Sequence, residues 1–423
     1  MKFSNKVHHI HFVGIAGIGM SGIAEVLLNL GFRISGSDLS ENDLTKKLSS
    51  FGARIYRGHS AQNIDGAQVI VKTSAAKDDN IEIATARLHN IPIISRAEML
   101  AELMRLKFGI AISGMHGKTT TTSLTASILS SANLDPTMVI GGKLKSIGSN
   151  ARLGKGDYFV AEADESDGSF LLISPIISVV TNIDYEHLDY YTLGIEEIKS
   201  AFLKFINKVP FYGLSVLCFD DSHIQSFLNQ PFQITRRYVT YGLNPQSQYS
   251  AENITVKKNQ MHYTLTLHQK PQCDITLNML GMHNVQNSLA AIAVARELEI
   301  DYPSIQKALI SYSGVGRRFE IKISNEYFTI IDDYGHHPNE IKATIKTAKQ
   351  LSKNRIITIF QPHRYSRLQL LFQEFVQAFD DSDLLILTKL YSAGESPLPV
   401  SSETLAREIE KKNHLKVIYL ETS

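Results

Sequence analysis

The residues most able to do chemistry in this chain lie in Ile110-Ala-Ile-Ser-Gly-Met-His-Gly-Lys-Thr-Thr-Thr-Thr122, an apolar run that enters a glycine turn and then a helix-forming stretch. Gly114 and Gly117 let successive backbone N–H groups converge on phosphate oxygens. Lys118 adds a point charge, and the Thr119 hydroxyl can sit on Mg²⁺. Met115, His116 and Thr120 belong to the same turn. This is ATP-binding chemistry. The longer phosphate-loop pattern would need a glycine five residues before Gly117, where Ile112 stands, so the motif is the shorter G-x-x-G-K-T-T form.

Acids follow at a second strand end. Tyr158-Phe-Val-Ala-Glu-Ala-Asp-Glu-Ser-Asp-Gly168 carries four carboxylates within six positions, and carboxylates so crowded repel one another unless a cation is present. Glu162 is best placed as the Mg²⁺ ligand, since hard cations take carboxylate oxygens and leave positions open for ATP phosphates. A further apolar run, Ile176 to Val180, leads into Thr181-Asn-Ile-Asp-Tyr-Glu-His-Leu-Asp189, where His187 is the candidate ligand of a second metal. Gly281-Met-His-Asn-Val-Gln-Asn-Ser-Leu-Ala-Ala291 opens a helix with His283, Asn284 and Asn287 on or beside its first turn. Such side chains either cap the helix or read the polar edge of a base.

A second glycine loop stands near the start. Gly14-Ile-Ala-Gly-Ile-Gly-Met-Ser-Gly22 follows the β-rich run Val7 to Val13, and Gly17, Gly19 and Gly22 make a G-x-G-x-x-G with Met20 and Ser21 inside it. With Asp38 about twenty residues on, the dinucleotide fingerprint is complete on paper. The physics is less particular. Such a loop accepts any diphosphate at a helix N-terminus, so NAD and a UDP-sugar both stay open. Ser74, in the turn Thr73-Ser-Ala-Ala76 after a strand end, and His59 and Arg96 are candidate anion or base contacts.

These residues need elements to hold them. A chain of 423 residues exceeds one core and predicts three domains, with boundaries at 1–107, 108–312 and 313–423. Apolar strands alternating with helical spacing predict an α/β protein: a Rossmann-like first domain, a central domain of phosphate-loop ATPase type, and a Rossmann-like third domain. In the third, strands at Phe328 to Asp332, Ile356 to Gln361, Leu384 to Thr388 and Val417 to Leu420 alternate with helices from about Pro338, Ser366 and Ser401. The formal net charge of +1 argues against the basic field that nucleic acid or an anionic membrane selects. Cys218 and Cys273 are isolated, and no apolar run suits a signal peptide or span, so a soluble cytoplasmic protein is expected.

Together these motifs resemble the Mur ligases, which use ATP to make amide bonds on the peptidoglycan precursor. The resemblance rests on Gly-Met-His-Gly-Lys-Thr-Thr, Glu-Ala-Asp-Glu-Ser-Asp, Asn-Ile-Asp-Tyr-Glu-His-Leu-Asp, Gly-Met-His-Asn-Val-Gln-Asn and Gly-Arg-Arg-Phe-Glu, in this order. The Gly14 to Gly22 loop, Arg96 to Leu103, Asp333-Tyr-Gly-His-His-Pro338 and Pro362-His-Arg-Tyr-Ser-Arg367 look most like the member that acts first. The resemblance therefore implies ATP, UDP-N-acetylmuramate and L-alanine as substrates, Mg²⁺ as cofactor, and a monomer or weak homodimer. It implies that Lys118, Glu162 and His187 act on phosphate and metal, that Arg318 reaches the ATP phosphates and that Asp333 contacts the ATP ribose. Tyr334, His336, Arg364 and Arg367 look like the pocket for the amino acid and the intermediate, and two arginines suit a carboxylate or acyl phosphate. Rival readings are a related ligase that attaches a ready-made tripeptide to the same sugar, an NAD-dependent oxidoreductase and a catalytically silent nucleotide-binding regulator. Other Mur ligases carry a carbamylated lysine where this chain has Phe202, with Lys199 a turn away, so no modified lysine is expected. The sequence stops at Ser423 just after a strand, where the family usually continues, which leads us to expect an incomplete third domain.

Overall fold

The computed structural model of this chain describes residues 7–185, 190–351, 354–413 and 415–421. The first sheet comprises β1 (His9–Val13), β2 (Arg33–Asp38), β3 (Arg54–Arg57), β4 (Val69–Lys72) and β5 (Ile93–Ser95), all parallel in the order β3-β2-β1-β4-β5. Every residue of β1 is buried, as a central parallel strand covered on both faces requires. Helices α1 (Ile18–Asn29), α2 (Asp43–Ser50), α3 (Ile81–Leu88) and α4 (Arg96–Met104) connect these strands. The strand order reverses between β1 and β4, and sheets of this kind bind ligands at the carboxyl ends beside such a reversal. Sequence spacing predicts helix only from Ile23, whereas α1 starts at Ile18 and takes Gly19 and Gly22 into its first turns. The reason is packing: a Cβ on Gly22 would stand 3.0 Å from the Asn150 amide and 3.2 Å from Ala151.

The second sheet has ten strands in the order β15-β14-β13-β12-β11-β10-β6-β9-β7-β8. They are β6 (Phe108–Ser113), β7 (Thr137–Leu144), β8 (Ser149–Arg152), β9 (Tyr158–Glu162), β10 (Ile177–Val180), β11 (Leu214–Cys218), β12 (Tyr238–Tyr241), β13 (Tyr249–Lys257), β14 (Gln260–Leu267) and β15 (Lys270–Leu277). β6 lies between β9 and β10, parallel to both, so three chemically loaded strand ends emerge side by side. Helices α5 (Lys118–Ser131), α6 (Ile195–Ile206), α7 (Ser222–Leu228), α8 (Met282–Glu297) and α9 (Tyr302–Ser311) complete this region.

The first two expected domains, each with its own sheet, pack as one compact unit made of residues up to Thr255 with His262–Asn278 and Gln286–Gly316. The β7–β8 hairpin ties them. Asn150 Nδ2 donates to the Ile18 carbonyl at 2.6 Å, and Lys47 Nζ bonds both the Glu25 carboxylate at 2.8 Å and Ser149 Oγ at 2.6 Å.

Val256–Met261, Met279–Val285 and the chain from Arg317 onward form a second unit. Its β16 (Glu320–Ser324) and β17 (Thr329–Asp332) pair antiparallel, while β18 (Ile357–Phe360), β19 (Leu384–Thr388) and β20 (Val417–Leu420) make a parallel sheet. Alternation predicts the strand at Phe328 to Asp332 as part of that parallel sheet. It folds back instead, because Asn325 Oδ1 accepts the Tyr327 and Phe328 N–H groups at 2.9 Å and closes a tight turn. Helices α10 (Pro338–Leu351), α11 (Tyr365–Leu370), α12 (Phe372–Val376) and α13 (Ser402–Asn413) cover the parallel strands, with Phe375, Phe379, Leu385, Leu387, Leu405 and Ile409 in the core. No helix among the described residues is long and apolar enough to cross a membrane.

Phe202 is fully buried on α6 with its ring edge-on to Phe170 at 5.2 Å, and Lys199 Nζ bonds Glu196 at 2.9 Å. Phe202→Ala should therefore lower unfolding free energy by about 3–5 kcal/mol, the usual cost of emptying a buried phenylalanine site. Urea denaturation followed by circular dichroism checks this, and a loss below about 1 kcal/mol would contradict the packing described.

Candidate active site

The loop after β6 turns on Gly114 at φ +129° and Gly117 at φ +82°, conformations that L side chains rarely adopt. A Cβ at Gly114 would collide with the Thr181 hydroxyl, and one at Gly117 would stand 2.6 Å from Asn287 Oδ1. The neighbouring strand end pins the loop from behind. Asn182 accepts the Met115 N–H at 3.3 Å through its carbonyl and the His116 N–H at 2.9 Å through Oδ1, while the Thr181 hydroxyl donates to the His116 carbonyl at 2.6 Å. Met115 is buried, and His116 Nε2 lies 3.6 Å from Asp184 Oδ2. The loop thus presents backbone rather than side chains.

Lys118 and Thr119 open α5. Lys118 Nζ donates to Glu165 Oε1 at 2.6 Å and to the Met115 carbonyl at 3.2 Å, and Glu165 is buried. Burial alone would lower the lysine pKa, but Glu165, Asp164 and Glu162 together raise it above the ordinary lysine value, so the ammonium stays charged. Thr119 Oγ1 donates to Glu162 Oε2 at 3.2 Å, and the Gly141 N–H donates to Glu162 Oε1 at 2.5 Å. A hydroxyl oxygen and a carboxylate oxygen so close together are a donor set that suits a hard cation. Thr120 is buried and faces the core. Glu165 and the pinning pair Thr181-Asn182 went unassigned in the sequence, although Glu165 stands in the same acidic run as Glu162. His187 lies outside the described residues.

The glycine loop of the first sheet is held by its neighbours. Gly14 and Ile15 donate to the Ser37 carbonyl at 2.9 and 3.1 Å, and Asp38 accepts the Ala16 N–H through Oδ2 at 3.0 Å and the Ser40 N–H through Oδ1 at 3.2 Å. The Asp38 carboxylate therefore clamps the loop itself. Gly17 is the exposed N-cap of α1, so the first-turn N–H groups of a twelve-residue helix end there without a capping side chain. Met20 and Ser21 face inward: Met20 is buried and Ser21 Oγ donates back to the Ile18 carbonyl at 3.0 Å. Ser74 is exposed. Arg96 lies against Gly19 and bonds Asp164.

Beneath this loop a buried network went unnoticed in the sequence because Glu82 belongs to no motif. Glu82 Oε2 accepts from Ser37 Oγ at 2.5 Å and lies 3.1 Å from His59 Nδ1, and its Oε1 accepts from Asn63 Nδ2 at 2.6 Å. His59 is thus tied down from below.

In the second unit, Arg318 Nη1 lies 3.5 Å from Glu340 Oε1, and its guanidinium stands over the Tyr334 ring at 5.6 Å. His283 is kept neutral: burial, then Arg318, lowers its pKa to about 4. Asn284 Nδ2 donates to the Leu280 carbonyl at 2.6 Å, a local backbone bond. Asp333 accepts the Phe319 and Gly335 N–H groups, each at 2.7 Å. Tyr334 is exposed, and the His336 ring sits 5.2 Å from it and 6.1 Å from His363. Arg367 Nη1 is 3.3 Å from His363 Nδ1, and Arg364 holds φ +71° with its N–H on the Tyr391 carbonyl at 2.9 Å. Tyr334, His336, Arg364 and Arg367 thus share a cluster with His363, which the sequence reading passed over inside its own motif. Burial and the Arg367 charge lower the His363 pKa to about 4.

Three family descriptions match this chain in order: "Mur ligase family, catalytic domain" over residues 9–108, "Mur ligase middle domain" over 112–295, and "Mur ligase, glutamate ligase domain" over 317–423. The chain belongs to the Mur ligase family. It is 54% identical over 416 residues to a UDP-N-acetylmuramate–L-alanine ligase of Syntrophus aciditrophicus, covering 98% of this chain and 86% of that one. The crystal structure of a UDP-N-acetylmuramate–alanine ligase from Thermotoga maritima superposes with a TM-score of 0.84 at 30% identity, covering 98% of this chain and 90% of that one. A UDP-N-acetylmuramate:L-alanyl-γ-D-glutamyl-meso-diaminopimelate ligase from Neisseria meningitides reaches a TM-score of 0.67 at 27% identity, over 74% of this chain and 100% of that one.

The Glu82 network sets a pH dependence. Burial would raise the Glu82 pKa, but the nearby His11 ring, 3.6 Å from Oε2, and the bonds from Ser37 and Asn63 bring it down to about 2 from an ordinary value of 4.5. Its contribution to stability is complete above about pH 4.5 and is lost as pH falls toward about 2. Acid unfolding should therefore be less steep across that window in Glu82→Gln than in the unaltered chain. Superimposable acid-unfolding curves would contradict the network.

Proposed function

We propose that this chain joins L-alanine to the lactyl carboxylate of UDP-N-acetylmuramate at the expense of ATP, in the cytoplasm. The observation that carries this reading is the Lys118 ammonium, fixed 2.6 Å from Glu165 beside a Thr119 hydroxyl 3.2 Å from Glu162, at adjacent parallel strand ends. The identity of the sugar and the amino acid is supported by the relatives. We divide the work at residues 107 and 312, with the UDP-sugar on the first part, ATP on the second and the amino acid on the third.

A carboxylate is a poor electrophile, so the γ-phosphoryl group is first moved onto it. The bond from the β,γ-bridging oxygen to γ-phosphorus breaks, a carboxylate oxygen to phosphorus bond forms, and ADP leaves. The alanine amine then attacks the acyl carbon, loses a proton and expels phosphate. Lys118 offsets charge on the transferring group, and the glycine loop N–H groups cradle the phosphates behind it. Thr119 and Glu162 would hold Mg²⁺, which supplies further charge neutralisation on the phosphate oxygens. Arg318 contacts the ATP phosphates and Asp333 the ribose, while His336, Arg364 and Arg367 orient the amino acid and the acyl phosphate. Asn287, which accepts from Thr121 Oγ1 at 3.2 Å beside Gly117, buttresses the loop.

The test is phosphate release with ATP, Mg²⁺ and UDP-N-acetylmuramate, comparing L-alanine, L-alanyl-γ-D-glutamyl-meso-diaminopimelate and no acceptor. Release that depends on L-alanine is expected, and release that depends on the tripeptide would overturn the reading. Lys118→Ala should cut this rate by about 10²-fold or more while the protein stays folded. A variant that keeps most of the rate would remove the loop from the chemistry. Arg367→Ala should raise the alanine KM and spare ATP binding, because a lost carboxylate partner costs only what it held. An equal loss of ATP affinity would place Arg367 on the wrong substrate.

A further inference from the structure

Asp164 stands in the acidic run beside Glu162 and Glu165, two residues beyond the end of β9, yet its contacts point elsewhere. Its Oδ2 accepts from Arg96 Nη2 at 2.7 Å, and its Oδ1 accepts the Ser166 N–H at 3.1 Å. Both oxygens are thus engaged by the protein. Arg96 is the first residue of α4 and belongs to the first sheet's domain. Its guanidinium lies over the first turn of α1, where a Cβ on Gly19 would stand 2.8 Å from Nη1 and 3.2 Å from Cδ. Glycine at 19 is therefore what makes room for the arginine. Among the described residues Arg96 Nη2 donates to Asp164, while Nη1 lies over Gly19 in the first turn of α1, a helix whose N-cap Gly17 carries no capping side chain. A planar fork so placed suits a diphosphate, provided something fixes its long side chain.

We propose that Asp164 is a positioning residue for the sugar-nucleotide loop: it orients Arg96 toward the diphosphate bound at Gly17 to Gly19, although it stands among the acids of the ATP strand. The assignment rests on the reading that UDP-N-acetylmuramate occupies this loop. It separates the acidic run into three tasks. Glu162 serves the cation, Glu165 fixes Lys118, and Asp164 acts on the other nucleotide's site.

Initial-rate kinetics on the full chain test this. Asp164→Asn keeps the shape and the acceptor for Ser166 but removes the charge. The KM for UDP-N-acetylmuramate should rise about tenfold, the scale of one partly exposed charge-assisted hydrogen bond. kcat, the ATP KM and the Mg²⁺ midpoint should change by less than about twofold, a split that loss of a metal ligand or a general loss of fold would not give. Arg96→Ala should show the same selective defect, and the double variant should be no worse than Arg96→Ala alone, because the two residues act as one. If Asp164→Asn does not fold, Asp164→Ser, which keeps an oxygen for the Ser166 N–H, carries the same test. An unchanged UDP-N-acetylmuramate KM, a raised Mg²⁺ requirement in its place, or additive effects in the double variant would overturn the proposal. If the unaltered chain releases phosphate without any dependence on UDP-N-acetylmuramate, the functional reading itself fails instead.

Discussion

A lysine drawn largely out of water is costly unless anions surround it, and the structure around the part-buried Lys118 is arranged to meet that cost. Glu165 lies 2.6 Å away and is itself buried, so each charge offsets the other's loss of water. Gathering acids at the end of β9 creates a repulsion of its own. Arg96 relieves part of it by pairing with Asp164 at 2.7 Å. Because Arg96 starts a helix of the first sheet, one electrostatic constraint on the glycine loop after β6 also links the two sheets. The Lys47–Glu25–Ser149 contacts and the Asn150 bond to Ile18 extend the same joint along the β7–β8 hairpin.

Topology makes this arrangement possible. Parallel strands deliver their carboxyl ends to one edge, so β10, β6 and β9 bring Thr181-Asn182, the glycine turn and Glu162 side by side although they are far apart in the chain. The hairpin adds a third role. Gly141 N–H holds Glu162, and Lys143 and Lys145 bond the backbone of Gly316 and Gly314. The same two strands thus touch α1, the candidate cation ligand and the end of the first compact unit.

Much of this was legible in the residues. The strand-glycine-helix pattern at Ile110 to Thr122 reports a local backbone requirement, and local requirements survive in sequence. So do the apolar runs of β6, β9 and β10, since strands buried on both faces have few other ways to be written. What stayed hidden depended on partners remote in the chain. Gly22 reads as a helix breaker until Asn150 and Ala151 are seen against it. Asp38 reads as part of a dinucleotide fingerprint, and its bonds to the Ala16 and Ser40 N–H groups appear only in the fold. Glu82 sits on an ordinary helix, and its function as a buried acceptor for Ser37 and Asn63 comes from strand register and a turn across the sheet. Thr329–Asp332 has the composition of a parallel strand, and a single asparagine side chain, Asn325, turns it into half of a hairpin.

The most direct measurement of phosphoryl transfer onto the sugar is an isotope experiment with the full chain. UDP-N-acetylmuramate labelled with ¹⁸O in its lactyl carboxylate is turned over with ATP, Mg²⁺ and L-alanine, and the released phosphate is analysed by mass spectrometry. Transfer through an acyl phosphate predicts that each phosphate carries one oxygen from the labelled carboxylate. Unlabelled phosphate, released at the same rate as the amide forms, would contradict that route.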